Sequence, residues 1–304
     1  MADMVFSGVT FSGGYSISLP PPPPAGNKAI FGYGFSGGAR SMTNLVSNTG
    51  VVADDTTGVG TARFYLAAAG YGTDKAIFGY GTTGTVTAIT NKVANTGVVA
   101  TDTTGVGTAR SELAAAGYGT DKAIFGYGLP STAITNKVSN TGVVATDTTG
   151  VGTARVSLAA AGYGTDKAIF GYGRSSGGLV SLTNKVSNTG VVATDTTGVG
   201  TARQGLAAAG YGTDKAIFGY GEGPVSMTNL VSNTGVVATD TTGVGTARSY
   251  LAAAVYGADK AIFGYGYSTI SESTTNLVSN TGVVATNSTG VGTARSSLAA
   301  AAYG

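Results

Sequence analysis

The chain has no histidine, no cysteine and no tryptophan among its 304 residues. Without histidine there is no imidazole base, no Ser-His-Asp triad and no imidazole-held metal. Without cysteine there are no disulfides, no thiol nucleophile and no thiolate metal site, which fits any redox compartment. Charge is also scarce. Only 11% of residues are Asp, Glu, Lys or Arg, against about 25% in a typical globular protein. The net charge of +2 creates no field that would draw nucleic acid or an acidic membrane surface. No apolar run reaches the roughly 18 residues of a membrane span. The N-terminus shows neither a basic stretch nor an apolar h-region, so no secretory signal is read there. A protein of this kind acting outside a cell would be released by lysis or carried on a particle.

What is present is repetition. The string KAIFGYG begins at Lys28, Lys75, Lys122, Lys167, Lys215 and Lys260, a period of 45–48 residues. Each copy is followed by a second string close to VSNTGVVATDTTGVGTAR, whose arginine falls at Arg63, Arg110, Arg155, Arg203, Arg248 and Arg295. Two free positions come next, then Leu-Ala-Ala-Ala and Tyr-Gly. A period of this length signals a repeat architecture. Each unit reads as four short strands. In the copy around residue 120, strand A is Leu113 to Tyr118 and strand B is Lys122 to Tyr127. Strand C lies near Thr135 to Ser139, and strand D near Val143 to Asp147. Gly-Thr-Asp and Asn-Thr-Gly supply tight turns between A and B and between C and D. β-branched residues dominate and no helical period is sustained.

Strand B is apolar on both faces, as sheets stacked on either side require, and small strand A suits a crowded axis. The expected fold is therefore all-β: a six-bladed β-propeller of four-stranded antiparallel blades. The pattern starts at strand B and ends after strand A. The C-terminal strand can thus join the N-terminal blade and remove two exposed sheet edges. The expected organisation is an arm over residues 1–27 and a propeller over 28–304.

The stretch Ala109-Arg110, two free residues, Leu113-Ala-Ala-Ala-Gly-Tyr-Gly and Lys122-Ala-Ile-Phe-Gly-Tyr-Gly resembles the kelch repeat. That family shares the arginine, the small apolar strand, the turn and the aromatic strand ending in glycines. The double glycine of kelch is here Gly-Tyr-Gly, and its tryptophan on strand D is missing, with Val151 near its place. The resemblance implies a propeller that acts mostly as a binding module. The first 27 residues hold Val5, Phe6, Phe11, Tyr15, Ile17 and Leu19, then five prolines, Pro20 to Pro24. This arm resembles the N-terminal arms of virion structural and tail-fibre proteins of marine phages. Tyr15, Ile17 and Leu19 alternate as a strand, and the prolines make a stiff spacer. Such an arm either docks into a partner's sheet or packs on its own propeller.

Variation among the six copies is confined to two places. One follows strand B: Phe35 to Met42, Thr82 to Ile89, Leu129 to Ile134, Arg174 to Leu182, Glu222 to Met227 and Tyr267 to Thr274. The other is the pair after each arginine, such as Phe64-Tyr65, Ser111-Glu112, Gln204-Gly205 and Ser249-Tyr250. In an antiparallel meander both places lie on one rim, and the near-constant A–B and C–D turns lie on the other. Diversity over a constant scaffold is how binding surfaces are built. The candidate rim residues are Phe35, Arg40, Phe64, Tyr65, Glu112, Arg174, Gln204, Glu222, Tyr250 and Tyr267. The aromatics and small polar residues suit sugar faces and paratope-like contacts. The six repeat arginines would form an axial ring able to hold an anion, unless each pairs with a repeat aspartate (Asp55, Asp102, Asp147, Asp195, Asp240).

Catalysis is not expected. Glu112, Glu222 and Glu272 lie on the variable rim in three different blades, and the turn aspartates read as caps rather than as calcium ligands. No cofactor and no metal are expected. The reading is a binding module of a virion, a tail fibre or a surface decoration, located on the particle or outside the cell. Its arm would contact other virion proteins and its rim a host-surface glycan or a neighbouring virion protein. The alternative is a cellular kelch-like adaptor with a protein partner, and a propeller glycosidase or lyase is the weakest reading. Neither nucleic-acid binding nor membrane insertion is expected.

Overall fold

A computed structural model describes residues 28–304. The arm, with Val5, Phe6, Phe11, Tyr15, Ile17 and Leu19, lies outside the described residues. The described chain is all-β, with several small antiparallel sheets. It opens with β1 (Lys28–Phe35) and β2 (Ala39–Val46). The second sheet is β3 (Ala67–Tyr71), β4 (Lys75–Gly79) and β5 (Thr90–Val93). The third is β6 (Ala114–Tyr118), β7 (Lys122–Gly126) and β8 (Thr135–Val138). The fourth holds β9 (Ala159–Tyr163) and β10 (Lys167–Gly171), then a ribbon of β11 (Arg174–Ser175) and β12 (Gly178–Leu179), then β13 (Thr183–Val186). The fifth is β14 (Ala207–Tyr211), β15 (Lys215–Gly221) and β16 (Val225–Val231). The sixth is β17 (Ala252–Tyr256), β18 (Lys260–Gly264) and β19 (Thr275–Val278). The final strand, β20 (Ala299–Tyr303), has no hairpin partner after it and pairs with β1.

That pairing reproduces the register inside the other sheets. Lys28 faces Tyr303 and Ile30 faces Ala301, just as Lys122 faces Tyr118 and Ile124 faces Ala116. The C-terminal alanine strand therefore does for the first sheet what β6 does for the third. The first strands β3, β6, β9, β14 and β17 each pack on the next, β17 packs on β20, and β20 packs on β3.

Packing between sheets explains the Phe-Gly pair of strand B. A Cβ on Gly79 would come within 2.7 Å of the Phe125 ring, and one on Gly126 within 2.8 Å of Phe170. Each sheet offers a glycine hole to the phenylalanine of the next. The series returns to its start, because Gly264 meets Phe31 and Gly32 meets Phe78. Burying each ring contributes roughly 2–3 kcal/mol. The apolar cores follow the same plan. One groups Tyr80, Phe125 and Val138 from the second and third sheets. Another groups Phe31, Val46 and Leu298 of the first sheet with Ile262 and Tyr265 of the sixth.

Two expectations are corrected. The fourth strand is not a continuous strand but a run of isolated bridges, Val138 with Val144 and Thr135 with Thr148. The cause is a side chain. Asn136 Nδ2 donates to the Ala145 carbonyl at 3.0 Å, an acceptor that a main-chain ladder would use, and to the Asp147 side chain at 2.9 Å. In the third sheet strand B also ends one residue early, at Gly126, whereas in the first and fifth sheets it runs on past the equivalent tyrosine with a shift of register. Tyr127 has φ 65°, and its counterparts Tyr33, Tyr80, Tyr172, Tyr220 and Tyr265 lie at 63–64°. A left-handed tyrosine costs about 1–3 kcal/mol. Its surroundings hold it. The Tyr127 hydroxyl donates to the Val151 carbonyl at 3.1 Å, Arg110 Nε donates to its carbonyl at 2.8 Å, and Phe170 meets its ring edge-on at 5.1 Å.

Candidate functional site

The second residue of each variable pair is held in the left-handed region: Tyr65, Glu112, Ser157, Gly205, Tyr250 and Ser297 have φ of 51–63°. The bend turns each peptide toward the next sheet. Glu112 N–H donates to the Tyr65 carbonyl, Ser157 to Glu112, Gly205 to Ser157, Tyr250 to Gly205, Ser297 to Tyr250 and Tyr65 to Ser297, all at 2.7–2.9 Å. The bonds form an unbroken circle. Their twelve backbone groups are satisfied by one another, which offsets the strain of five non-glycine residues at positive φ.

The first residue of each pair bonds to the other variable segment. Phe64 N–H donates to the Thr82 carbonyl at 3.0 Å, Ser111 to Leu129 at 2.9 Å, Val156 to Arg174 at 3.0 Å and Ser249 to Tyr267 at 2.9 Å. Phe35 N–H donates to Ser296 and Glu222 N–H to Gln204, both at 2.8 Å. The two variable segments thus meet in every sheet. The constant turns meet elsewhere: Gly72 N–H donates to Asp121 at 2.7 Å, and a Cβ on Gly72 would lie 2.8 Å from the Asn140 carbonyl.

The side chains on this surface are unevenly distributed. Phe35 and Phe64 meet edge-on at 5.2 Å, Phe64 and Tyr65 at 5.2 Å, and Tyr65 and Tyr250 edge-on at 5.5 Å. Four rings therefore run in a row that ends at the circle of backbone bonds. Tyr65, Glu112 and Tyr250 line a cavity of about 90 Å³ there, with Ser157 and Ser297. Glu112 Oε2 accepts the Ser157 hydroxyl at 2.5 Å. Glu222 Oε2 accepts the Gln204 amide, and the Tyr250 hydroxyl at 3.4 Å. Burial pushes the Tyr250 phenol up, and the charges of Glu222 and Glu112 add to the shift. Tyr65 is raised by burial, partly relieved by Ser297, and raised again by the same two carboxylates.

The other expected rim residues are placed as follows. Phe35 and Tyr267 are 40% and 44% exposed. Arg40 in β2 and Arg174 in β11 are exposed, and Arg40 folds back to donate to the Ser36 carbonyl at 2.6 Å. Gln204 is only 9% exposed and serves Glu222 rather than solvent. The sequence reading passed over Leu129, Leu179 and Ile270, which are exposed in the variable loops. Their position within those segments was the signal.

The six repeat arginines do not open onto the axis. Each is fully buried or nearly so. Arg110 donates from Nε to Tyr127 at 2.8 Å, from Nη1 to Thr108 at 3.1 Å and from Nη2 to Asn136 Oδ1 at 2.6 Å. Its guanidinium lies 4.4 Å above the Tyr80 ring of the preceding sheet. Burial lowers the Arg110 pKa, while Tyr80 and Asp147 oppose the shift. Arg155 is turned over: Nη1 bonds the Tyr172 and Leu182 carbonyls and Nε is left without a partner. Contacts to the repeat aspartates are long, at 4.0 Å for Arg110–Asp147, 3.9 Å for Arg203–Asp240 and 3.7 Å for Arg295–Asp55. The aspartates instead bridge neighbouring sheets. Asp147 accepts the Thr108 N–H and, at 2.6 Å, its hydroxyl. Burial raises the Asp147 pKa, but the bonds from Thr108 and Asn136 outweigh it and the net shift is downward.

A second cavity, of about 310 Å³, is lined by the alanines of the first strands together with Lys75, Lys122, Lys167 and Lys215. Among the described residues there is no cluster of three acidic, histidine or cysteine side chains that could hold a metal. No protein-family model matches the chain. Comparison with curated proteins finds no relative.

Proposed function

We propose that the six sheets form a six-bladed β-propeller closed by β20, and that the chain is a non-enzymatic binding module whose variable rim recognises a ligand. The observation that carries this reading is the circle of backbone bonds through Tyr65, Glu112, Ser157, Gly205, Tyr250 and Ser297. It gathers one variable position of every repeat around a single mouth and fixes each backbone, so side chains can change there without disturbing the sheets. The row Phe35, Phe64, Tyr65 and Tyr250 is a preorganised aromatic surface of the kind that stacks on sugar faces. The kelch-like order of the repeat supports a binding role. The first 27 residues, with their alternating strand and prolines, support attachment to a virion as a fibre or decoration protein, with a host-surface glycan or a neighbouring virion protein at the rim.

The test uses two preparations. The intact chain and an F35A/F64A variant are compared on a glycan array and against purified particles. Binding by the intact chain that the variant loses supports rim recognition; equal binding by both refutes it. Removal of residues 1–27 should abolish incorporation into particles, and unchanged incorporation refutes attachment through the arm.

A further inference from the structure

We infer that the protein carrying the chain seats on the end of the sheets opposite the variable pairs, on the premise, taken from the reading above, that residues 1–27 attach it. Lys28 faces Tyr303 as Lys75 faces Tyr71. Gly304 then takes the place of a turn glycine. Its N–H donates to the Asp74 carbonyl at 2.8 Å, as Gly72 donates to Asp121, Gly119 to Asp166, Gly164 to Asp214 and Gly212 to Asp259 at 2.7 Å. These bonds link the turns of successive sheets at one end of the first strands. The circle through Tyr65 links the other end. Tyr65 and Gly72 are seven residues apart, about 23 Å of extended strand. The arm, joined at Lys28, thus leaves from the end away from the variable pairs.

Apolar groups surround that exit. The Asn-Thr-Gly turns share this end, since a Cβ on Gly142 would lie 2.6 Å from the Tyr71 ring and one on Gly119 would lie 2.7 Å from the Asn188 carbonyl. Each of these turns is followed by an exposed valine: Val51, Val98, Val143, Val191, Val236 and Val283 are 61–66% exposed. Beside them, the cavity of about 310 Å³ is walled by alanines of the first strands and by Thr73, Thr120, Thr165 and Thr213 of the Gly-Thr-Asp turns. Apolar groups left exposed in a repeated array mark a protein contact.

Charge narrows the kind of partner. The strand B lysines at this end are neutralised where they stand: Lys75 pairs with Asp74 and Lys122 with Asp121 at 2.6–2.7 Å, and three further sheets repeat the pair. Lys92, Lys137 and Lys185 differ. They lie in the adjacent second, third and fourth sheets and make no ion pair among the described residues. Each donates instead to a turn carbonyl of the next sheet, Thr141, Thr189 or Thr234, at 3.0–3.1 Å. The partner that fits is a protein surface with apolar side chains opposite the valines and carboxylates opposite these three lysines. A neutral or basic surface would desolvate three ammonium groups without compensation.

Labelling of single cysteines tests the inference, since the chain has none of its own. V143C and I270C place a thiol at positions 61% and 66% exposed, the first at the constant end and the second in a variable loop. On purified particles bearing the full chain, V143C is expected to react with a maleimide at least tenfold more slowly than in the free protein, and I270C at the same rate in both. Equal rates for V143C, or slowing of I270C instead, overturn the inference. K92E/K137E/K185E, with its melting temperature checked to confirm folding, should lower the amount of chain on particles at least tenfold, and an unchanged amount overturns the charge match. Loss of incorporation on removing residues 1–27, with V143C reacting freely on particles, leaves attachment through the arm standing while this inference fails. Incorporation without the arm, with V143C still protected, does the reverse. Absence of the full chain from particles overturns both.

Discussion

Tyr65 and Ser297 lie at opposite ends of the described chain, yet the Tyr65 N–H donates to the Ser297 carbonyl at 2.8 Å. That bond exists only because β20 pairs with β1 and brings the last repeat beside the second sheet. It also places the Tyr65 ring against that of Tyr250. The β1–β20 pairing and the meeting of the candidate-site residues are thus one structural event.

Removing β20 should therefore expose an edge. A chain truncated after Ser297 leaves β1 with an unpaired side facing away from β2, and free edges recruit other chains. The truncated protein is expected to form dimers or larger species by light scattering and to melt at lower temperature. A monomer with unchanged melting would contradict the role given to β20.

The glycine holes predict a sharp contrast. G79A forces a methyl into the Phe125 ring, 2.7 Å away. Overpacking of this kind costs about 1–3 kcal/mol. G38A has nothing within 4 Å and serves as the neutral control. Denaturant unfolding of the two variants should differ accordingly.

Loss of one guanidinium should be severe. R110M leaves the Tyr127 and Thr108 carbonyls and Asn136 Oδ1 without donors in a buried junction. Several orphaned acceptors together cost on the order of 3–5 kcal/mol. R110K supplies one point charge for three directions and should recover only part of the loss. Chemical denaturation of both variants checks this.

Alkali should unfold the protein through its buried phenols. Tyr33, Tyr80, Tyr172 and Tyr265 are pushed up to about 12, chiefly by burial, against 10.0 for free tyrosine. A raised folded pKa means stability that is complete below the unfolded value and lost as pH rises toward the folded one. Circular dichroism and phenolate absorbance should change together between about pH 10 and 12. Phenolate appearing at pH 10 with the fold intact would show these rings to be open to solvent.

Acid should act through the bridging aspartates. Asp55, Asp102, Asp147, Asp195 and Asp240 are raised by burial but lowered further by threonine and asparagine donors, for a net downward shift. Their contribution is present above the unfolded pKa of about 3.9 and disappears as pH falls through the lowered folded values. In the remaining bridge Asn287 takes the aspartate's place against Thr246. N287D should add a small stabilisation at neutral pH, less than about 1 kcal/mol. Melting scans at pH 7 and below pH 3 should show the gain in the first and not in the second.

Legibility in the sequence followed how local the cause was. The KAIFGYG period located every second strand, because its apolar residues and its turn lie within one repeat. The fourth strand was misread because its valines and threonines favour β structure, while Asn136, nine residues before Ala145, takes the carbonyl that a ladder needs. Tyr127 read as the end of a strand because nothing beside it announces that Arg110 and Phe170 hold it left-handed. The repeat arginines were a choice between an open ring and aspartate partners. They proved to be buried pegs bonded mainly to carbonyls and asparagine.

The amino-acid order alone determined the repeat, the antiparallel strand pattern and the two segments where the copies differ, since each depends on neighbours in the chain and on the size and shape of their side chains. Only the tertiary structure decided which of the differing residues meet. Tyr65 with Tyr250, and Tyr250 with Glu222, are brought together by hydrogen bonds and packing between sheets far apart in the chain, and no local property of those residues encodes that geometry.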